Sequence, residues 1–167
     1  MWWIVPLAWA SDPAEYQRLS GEIERLAARG AWVGVERQYG AAIATGAPAT
    51  FAVQLAGATA AWERGDVQAA RDRLASAAAL REDRDVIEWL WRIDTSTTPV
   101  VLQGPPGHVL RRVDATGFDP EADRAVVHAN AMVGPTGRFV GRLPRGDYAW
   151  AGRAFTVGAR PVRTQVP

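Results

Sequence analysis

The chain has no cysteine and no lysine among its 167 residues, and only two histidines, His108 and His128. Without cysteine there can be no disulfide, cysteine-ligated zinc, iron–sulfur cluster, thiol nucleophile or lipidated cysteine anchor. Without lysine there can be no Walker-type phosphate loop, whose glycines lead into an obligatory lysine. Two imidazoles leave little for metal or acid–base chemistry, and no cofactor is expected. An excess of one charge is also missing: 19 arginines face 18 acids, for a net charge of +1. The two signs read as mostly interspersed, which argues against a polyanionic partner and so against nucleic acid. What is present is a globular composition, 48% apolar and 22% charged, which suits one domain or two small ones.

Trp2–Ala10 is continuously apolar. As a helix it would reach about 14 Å, too short to span a bilayer. Ala8-Trp9-Ala10 has the small-x-small form of a signal-peptidase site, and Ser11-Asp12-Pro13 then turns polar. Residues 1–10 therefore read as a secretory signal, with the product periplasmic or secreted. No basic residue precedes the run, and the alternative is an apolar tail docked on the fold.

Beyond the leader the chain divides near residue 95. Residues 11–94 are rich in Ala, Leu, Arg and Glu, all good helix formers. Residues 100–167 favour Val, Gly, Pro and Thr in short runs, and Thr95–Pro99 reads as a polar hinge. Helices followed by strands predict an α+β protein with two segregated parts.

The helical part repeats at an offset of 35. Tyr16 falls on Phe51, Ile23 on Ala58, Leu26 on Ala61, Arg29-Gly30 on Arg64-Gly65, Val35 on Ala70 and Tyr39 on Leu74. Each copy predicts a helix, a glycine turn and a second helix, with Asp66 capping the last. Gly57, Ala58, Ala61, Ala69 and Ala70 let the helices approach closely. A hairpin this thin must stack on a neighbour. Residues 14–80 resemble the tetratricopeptide repeat family: Ala58, Ala61, Gly65-Asp66, Ala70, Leu74 and Ala77 stand at its small, turn and large positions, although Arg81-Glu82-Asp83 replaces its closing proline. Asp83–Ile93, with Val86, Ile87, Leu90 and Ile93 in one apolar stripe, is the expected cap.

The C-terminal part reads as short antiparallel strands over 100–103, 109–113, 124–133, 138–143, 148–157 and 162–166, a small β-sandwich. In the fifth, Tyr148, Trp150, Gly152, Ala154 and Thr156 are expected on one face. The segment Gly137-Arg-Phe-Val-Gly-Arg-Leu-Pro-Arg-Gly-Asp-Tyr148 predicts strand, turn and strand, with Phe139 and Leu143 on one face and Val140 and Arg142 on the other. Its Gly, Phe, Gly, Leu-Pro, Gly and Tyr spacing resembles PEGA and carboxypeptidase-regulatory-like (transthyretin-like) sandwiches, which would cover about 98–166. That resemblance implies a module that presents or spaces others in secreted and envelope proteins.

Candidate chemistry is thin. His108 and His128 with Asp114, Asp119, Glu121 or Asp123 could form a His–carboxylate site for a metal or a hydrolase. The plainer reading leaves His128 on a strand and His108 at a loop rim. Asp119, Glu121 and Asp123 alternate as hard ligands in a presumed loop but lack the EF-hand pattern, and read better as a solvated acidic turn. Trp89, Trp91, Arg138, Arg142 and Trp150 are the candidate contact residues, since exposed Trp and Arg are common in protein hot spots. Arg138 and Arg142 are expected on one outward face. The expectation is a non-enzymatic envelope protein that binds an unidentified protein partner. A glycan-binding module using exposed Trp and Tyr148 is the first alternative, and an enzyme using His108 and His128 the second.

Overall fold

The structure, a computed structural model, describes residues 12–113 and 119–165; the leader segment 1–10 and Asp114 lie outside them. Five helices come first: α1 (Pro13–Ala27), α2 (Trp32–Ala44), α3 (Phe51–Glu63), α4 (Val67–Leu80) and α5 (Arg84–Ser96). Side-chain caps start most of them. Asp12, Thr50, Asp66 and Asp83 each accept from the backbone N–H three residues on, at α1, α3, α4 and α5. These bonds satisfy amides that the first helical turn leaves unpaired.

The 35-residue repeat is visible atom by atom. At the first turn Gly30 N–H donates to Ala27 O and Ala31 N–H to Leu26 O. At the second, Gly65 N–H donates to Trp62 O and Asp66 N–H to Ala61 O. Both glycines sit in the left-handed region, at φ 66° and 79°, where a Cβ is disfavoured. Ile23, Ala58 and Ile93, each 35 residues apart, are fully buried. The hairpins α1–α2 and α3–α4 thus stack, and α5 caps them.

Small residues set the spacing. A Cβ on Gly57 would stand 2.4 Å from the Tyr39 ring, so only glycine lets α3 meet α2 there. Arg73 of α4 covers that ring at 4.0 Å from its centroid. Its guanidinium donates to Glu36 at 2.5 and 2.7 Å and to the Gly57 carbonyl at 2.8 Å. That pairing holds the Glu36 carboxyl below the usual carboxylate range.

The second half is α+β, with α6 (Pro120–Thr136) set among six strands: β1 (Thr97–Gln103), β2 (Arg111–Arg112), β3 (Arg138–Pro144), β4 (Gly146–Trp150), β5 (Arg153–Val157) and β6 (Val162–Gln165). They form two three-stranded sheets, ordered β3-β1-β6 and β2-β4-β5. Val100, Leu102, Phe139, Leu143, Tyr148, Trp150 and Val157 pack with Ala129 and Val133 of α6 into one core.

Four expectations change here. Residues 124–133 are helical, because Asp119 caps Ala122 N–H, Pro120 fits the first turn, and Ala122, Ala125, Ala129 and Val133 make a buried helical stripe. Asp119, Glu121 and Asp123 are therefore a helix N-terminus, where acids offset the helix dipole, rather than a loop. Residues 148–157 are two strands: the β4–β5 hairpin turns at Ala151-Gly152, both at positive φ. Tyr148 and Trp150 consequently face the core, while Ala154 and Thr156 are exposed. Finally, β1 and β6 run parallel, where antiparallel strands only were expected.

The Gly137–Tyr148 segment behaves as its spacing predicts on the inner face. A Cβ on Gly141 would meet the Phe139 ring at 2.5 Å, so the ring folds over that glycine. Gly137, at φ 66°, ends α6, and a Cβ there would stand 2.0 Å from the Gly104 carbonyl. The Tyr148 hydroxyl donates back to the Pro144 carbonyl at 2.8 Å. Yet β3 and β4 lie in different sheets, so Pro144–Gly146 is a corner between sheets and not a hairpin turn.

The two halves join without slack. Thr95 and Ser96 finish α5, and Thr97–Pro99 open β1, so the supposed hinge is regular structure. Thr97 Oγ1 donates to Ile93 O at 2.7 Å. Thr98 Oγ1 bonds the Gly158 carbonyl.

Candidate functional site

The five candidate contact residues separate by burial. Trp150 is 1% exposed and belongs to the β core. Arg142 is 9% exposed, which overturns its expected outward face. The inner residues Phe139 and Leu143 point to the sheet core, so Arg142 does leave by the opposite face, but the helical half covers it there. Its guanidinium donates to Thr97 Oγ1 at 2.9 Å and the Thr97 carbonyl at 3.2 Å, and lies 3.0 Å from Asp94. Asp94 also accepts two bonds from Arg71, at 2.7 and 3.0 Å. One carboxylate at the end of α5 therefore ties α4 to β3. The Arg71 bond holds the Asp94 carboxyl below its ordinary value, whereas burial pulls Arg142 down from its own.

Arg138 is exposed on the outer face of β3 beside Val140. Trp89 and Trp91 part company on α5. Trp89 packs edge-on against Trp62, ring centroids 5.9 Å apart, at the margin of the α3–α5 core. Trp91 is 69% exposed, and Ile87, one turn before it, is 46% exposed. Asp85, Glu88, Trp89, Trp91 and Arg92 line a hollow of about 660 Å³ on this helix.

The repeat register gives that patch a context. The offset that aligns the buried Ile23, Ala58 and Ile93 also aligns Gln17, Ala52 and Ile87, and Gly21, Ala56 and Trp91. All six are exposed or half-exposed. Small or polar side chains on α1 and α3 thus give way to two large apolar ones on α5.

The histidines do not converge on one hollow. His108 lines one with Arg111 and Trp150, and His128 another with Asp66, Met132 and Phe139. His128 sits on α6, not on a strand, with Nε2 3.7 Å from Asp66 Oδ2. Among the described residues no group of three or more His, Cys, Asp or Glu side chains is placed to hold a metal. No described helix is long and apolar enough to cross a membrane. Tyr148, the aromatic named for glycan stacking, is fully buried against Phe155.

The structure also draws attention to two features not singled out from the sequence. The first is the seat of α6 on the α3–α4 turn. A Cβ on Gly65 would stand 2.1 Å from the Arg124 carbonyl, and Arg124 lies 3.8 Å from Glu63. The second is a division of charge. Residues 12–96 hold ten arginines against thirteen carboxylates, and residues 97–167 nine against five. The interspersion read along the sequence therefore does not extend to the two halves.

No protein-family model, curated protein or solved structure matches the chain.

Proposed function

We propose that this chain is a non-enzymatic adaptor, exported to the bacterial envelope, that binds a protein segment across the exposed face of α1, α3 and α5. The observation that carries this reading is the Ile87–Trp91 pair. Two large apolar side chains, one turn apart on the capping helix, stay in water beside the charges of Asp85, Glu88 and Arg92. Such an apolar centre with a charged rim has the composition of a binding hot spot. The rows through Gln17 and Gly21 and through Ala52 and Ala56 supply a low floor beside it, so an apolar side chain of the partner would lodge against Trp91. Kinship with tetratricopeptide hairpins, and of the sheet half with PEGA-like modules, belongs to this proposal and rests on the spacings given above. The apolar leader Trp2–Ala10, ending in Ala8-Trp9-Ala10, supports export.

The test is site-specific photo-crosslinking in envelope extract, with the probe at position 91 or, as a control, at position 145 on the β3–β4 corner. A discrete adduct from position 91 only, abolished by Ile87→Ser, is the expected result. Equal labelling from both positions, or none from position 91, would overturn the reading. Export is checked separately, by sequencing the N-terminus of the product recovered outside the cytoplasm.

A further inference from the structure

Four hollows lie on the surface of the described residues, and three of them carry carboxylates. The hollow on α5 carries Asp85 and Glu88, the one at the joint between the halves Asp119 and Glu121, and the one between α4, α6 and β3 carries Asp66 and Asp72. The fourth, about 410 Å³, lies between the Gly107–Val109 loop and the Ala151-Gly152 turn, and among the described residues it carries no carboxylate. Its ionisable lining is His108 and Arg111.

Neither group is engaged elsewhere. Among the described residues Arg111 has no ion pair or side-chain hydrogen bond, and neither has His108. The neighbour Arg112 is different: its guanidinium donates to Asp119 at 2.9 Å. The chain has placed one arginine of this pair on a carboxylate and left the other facing water. Strand pairing explains the geometry. Arg111 stands opposite Ala149 across β2–β4, and Ala149 opposite Ala154 across β4–β5. Arg111 therefore rises beside two small side chains, and nothing large on that row of the sheet covers it. The wider setting is also cationic, since this half holds nine arginines and five carboxylates.

We propose that this hollow binds a small oxyanion, a carboxylate or a phosphate group, through the Arg111 guanidinium with the His108 imidazole as second donor. A planar guanidinium can give two parallel N–H bonds to either group. The site is separate from the α5 face and does not depend on it.

The test uses the whole chain and backbone amide NMR, titrated with inorganic phosphate, with acetate, and with sodium chloride at matched ionic strength. Phosphate or acetate is expected to give saturable shifts confined to Gly107–Arg111 and Ala149–Gly152. Saturation by phosphate alone identifies a phosphoryl ligand, and comparable saturation by both a carboxylate-type site. Arg111→Gln should weaken binding about tenfold or more, because a charge-assisted bond is lost, and His108→Ala should weaken it less. Arg163→Gln, an equally free arginine on β6, should leave it unchanged. Shifts that sodium chloride reproduces would overturn the proposal, as would a failure to saturate by about 50 mM or an equal loss in Arg163→Gln. Spectra of Arg111→Gln that match the parent away from the hollow would show that the variant is folded.

Discussion

The turns at Gly30 and Gly65 have the same backbone, the same pair of closing hydrogen bonds and the same place in the repeat. They differ in what stands next to them. Beside Gly30 a Cβ would find only the Trp32 indole nitrogen, at 3.9 Å, while beside Gly65 it would strike the backbone of α6. The first glycine meets a local conformational need. The second meets that need and also provides the floor on which the other half of the molecule rests. Repetition in sequence therefore does not imply equal importance.

The contrast gives the largest expected effect. Gly65→Ala should cost about 3 kcal/mol or more, because left-handed strain adds to an overlap with a carbonyl that has no side-chain freedom to yield. Gly30→Ala should cost only about 1 kcal/mol, the strain alone. Urea unfolding of both variants checks this, and equal losses would break the comparison. Next comes Asp94→Ala, which strands the buried Arg142 and should cost about 2 kcal/mol, less than a fully buried pair because Asp94 itself is partly in water.

Acid gives a smaller, graded effect. Asp94 and Glu36 both have carboxyls lowered by an arginine partner. A lowered folded value means that the unfolded chain takes up protons first. Stability from these pairs is complete above about pH 5 and falls as pH drops through and below the usual carboxylate range near 4. Denaturation midpoints measured from pH 6 to 3 should show this fall, and Asp94→Asn should make it shallower. Smallest is Trp91→Ala, which should move stability by less than about 0.5 kcal/mol, as expected for an exposed side chain, while removing the crosslink from a probe placed at the exposed position 87 on the same face. A large loss of stability there would mean that Trp91 is structural.

These contrasts also mark what could be read from the chain beforehand. The hairpins were legible because their information is local: Gly30 and Gly65 close turns with their own neighbours, and Ile23, Ala58 and Ile93 keep the register. The α+β order was legible from the change in composition. In α6 the helical evidence is present in Asp119-Pro120, the acidic first turn and the alanine spacing, but Val126-Val127 favours a strand by local propensity and Gly134-Pro135 reads as the turn that closes it. The β4–β5 turn is hidden in the sequence because its first residue is Ala151, an unusual occupant of positive φ, so Ala154 and Thr156 read as sharing the face of Tyr148 and Trp150. Alternation puts Arg142 on the face opposite Phe139 and Leu143, but its burial cannot be read from local pattern. Its cover is Asp94, 48 residues away, and the helices that carry it. Of the candidate contacts, Trp91 and Arg138 are at the surface, Trp89 half covered, and Arg142 and Trp150 inside.

The chain steps directly from Ser96 in α5 to Thr97 in β1. With no loop there, and with Asp94 and Gly65 fastening the same boundary, the two proposed sites would lie on one ruler. A partner segment on α5 and an anion beside Arg111 would be held at a set separation and angle. Inserting a few flexible residues after Ser96 together with Asp94→Ala, which loosens the boundary, would spare each grip taken singly and reduce any advantage of engaging both at once.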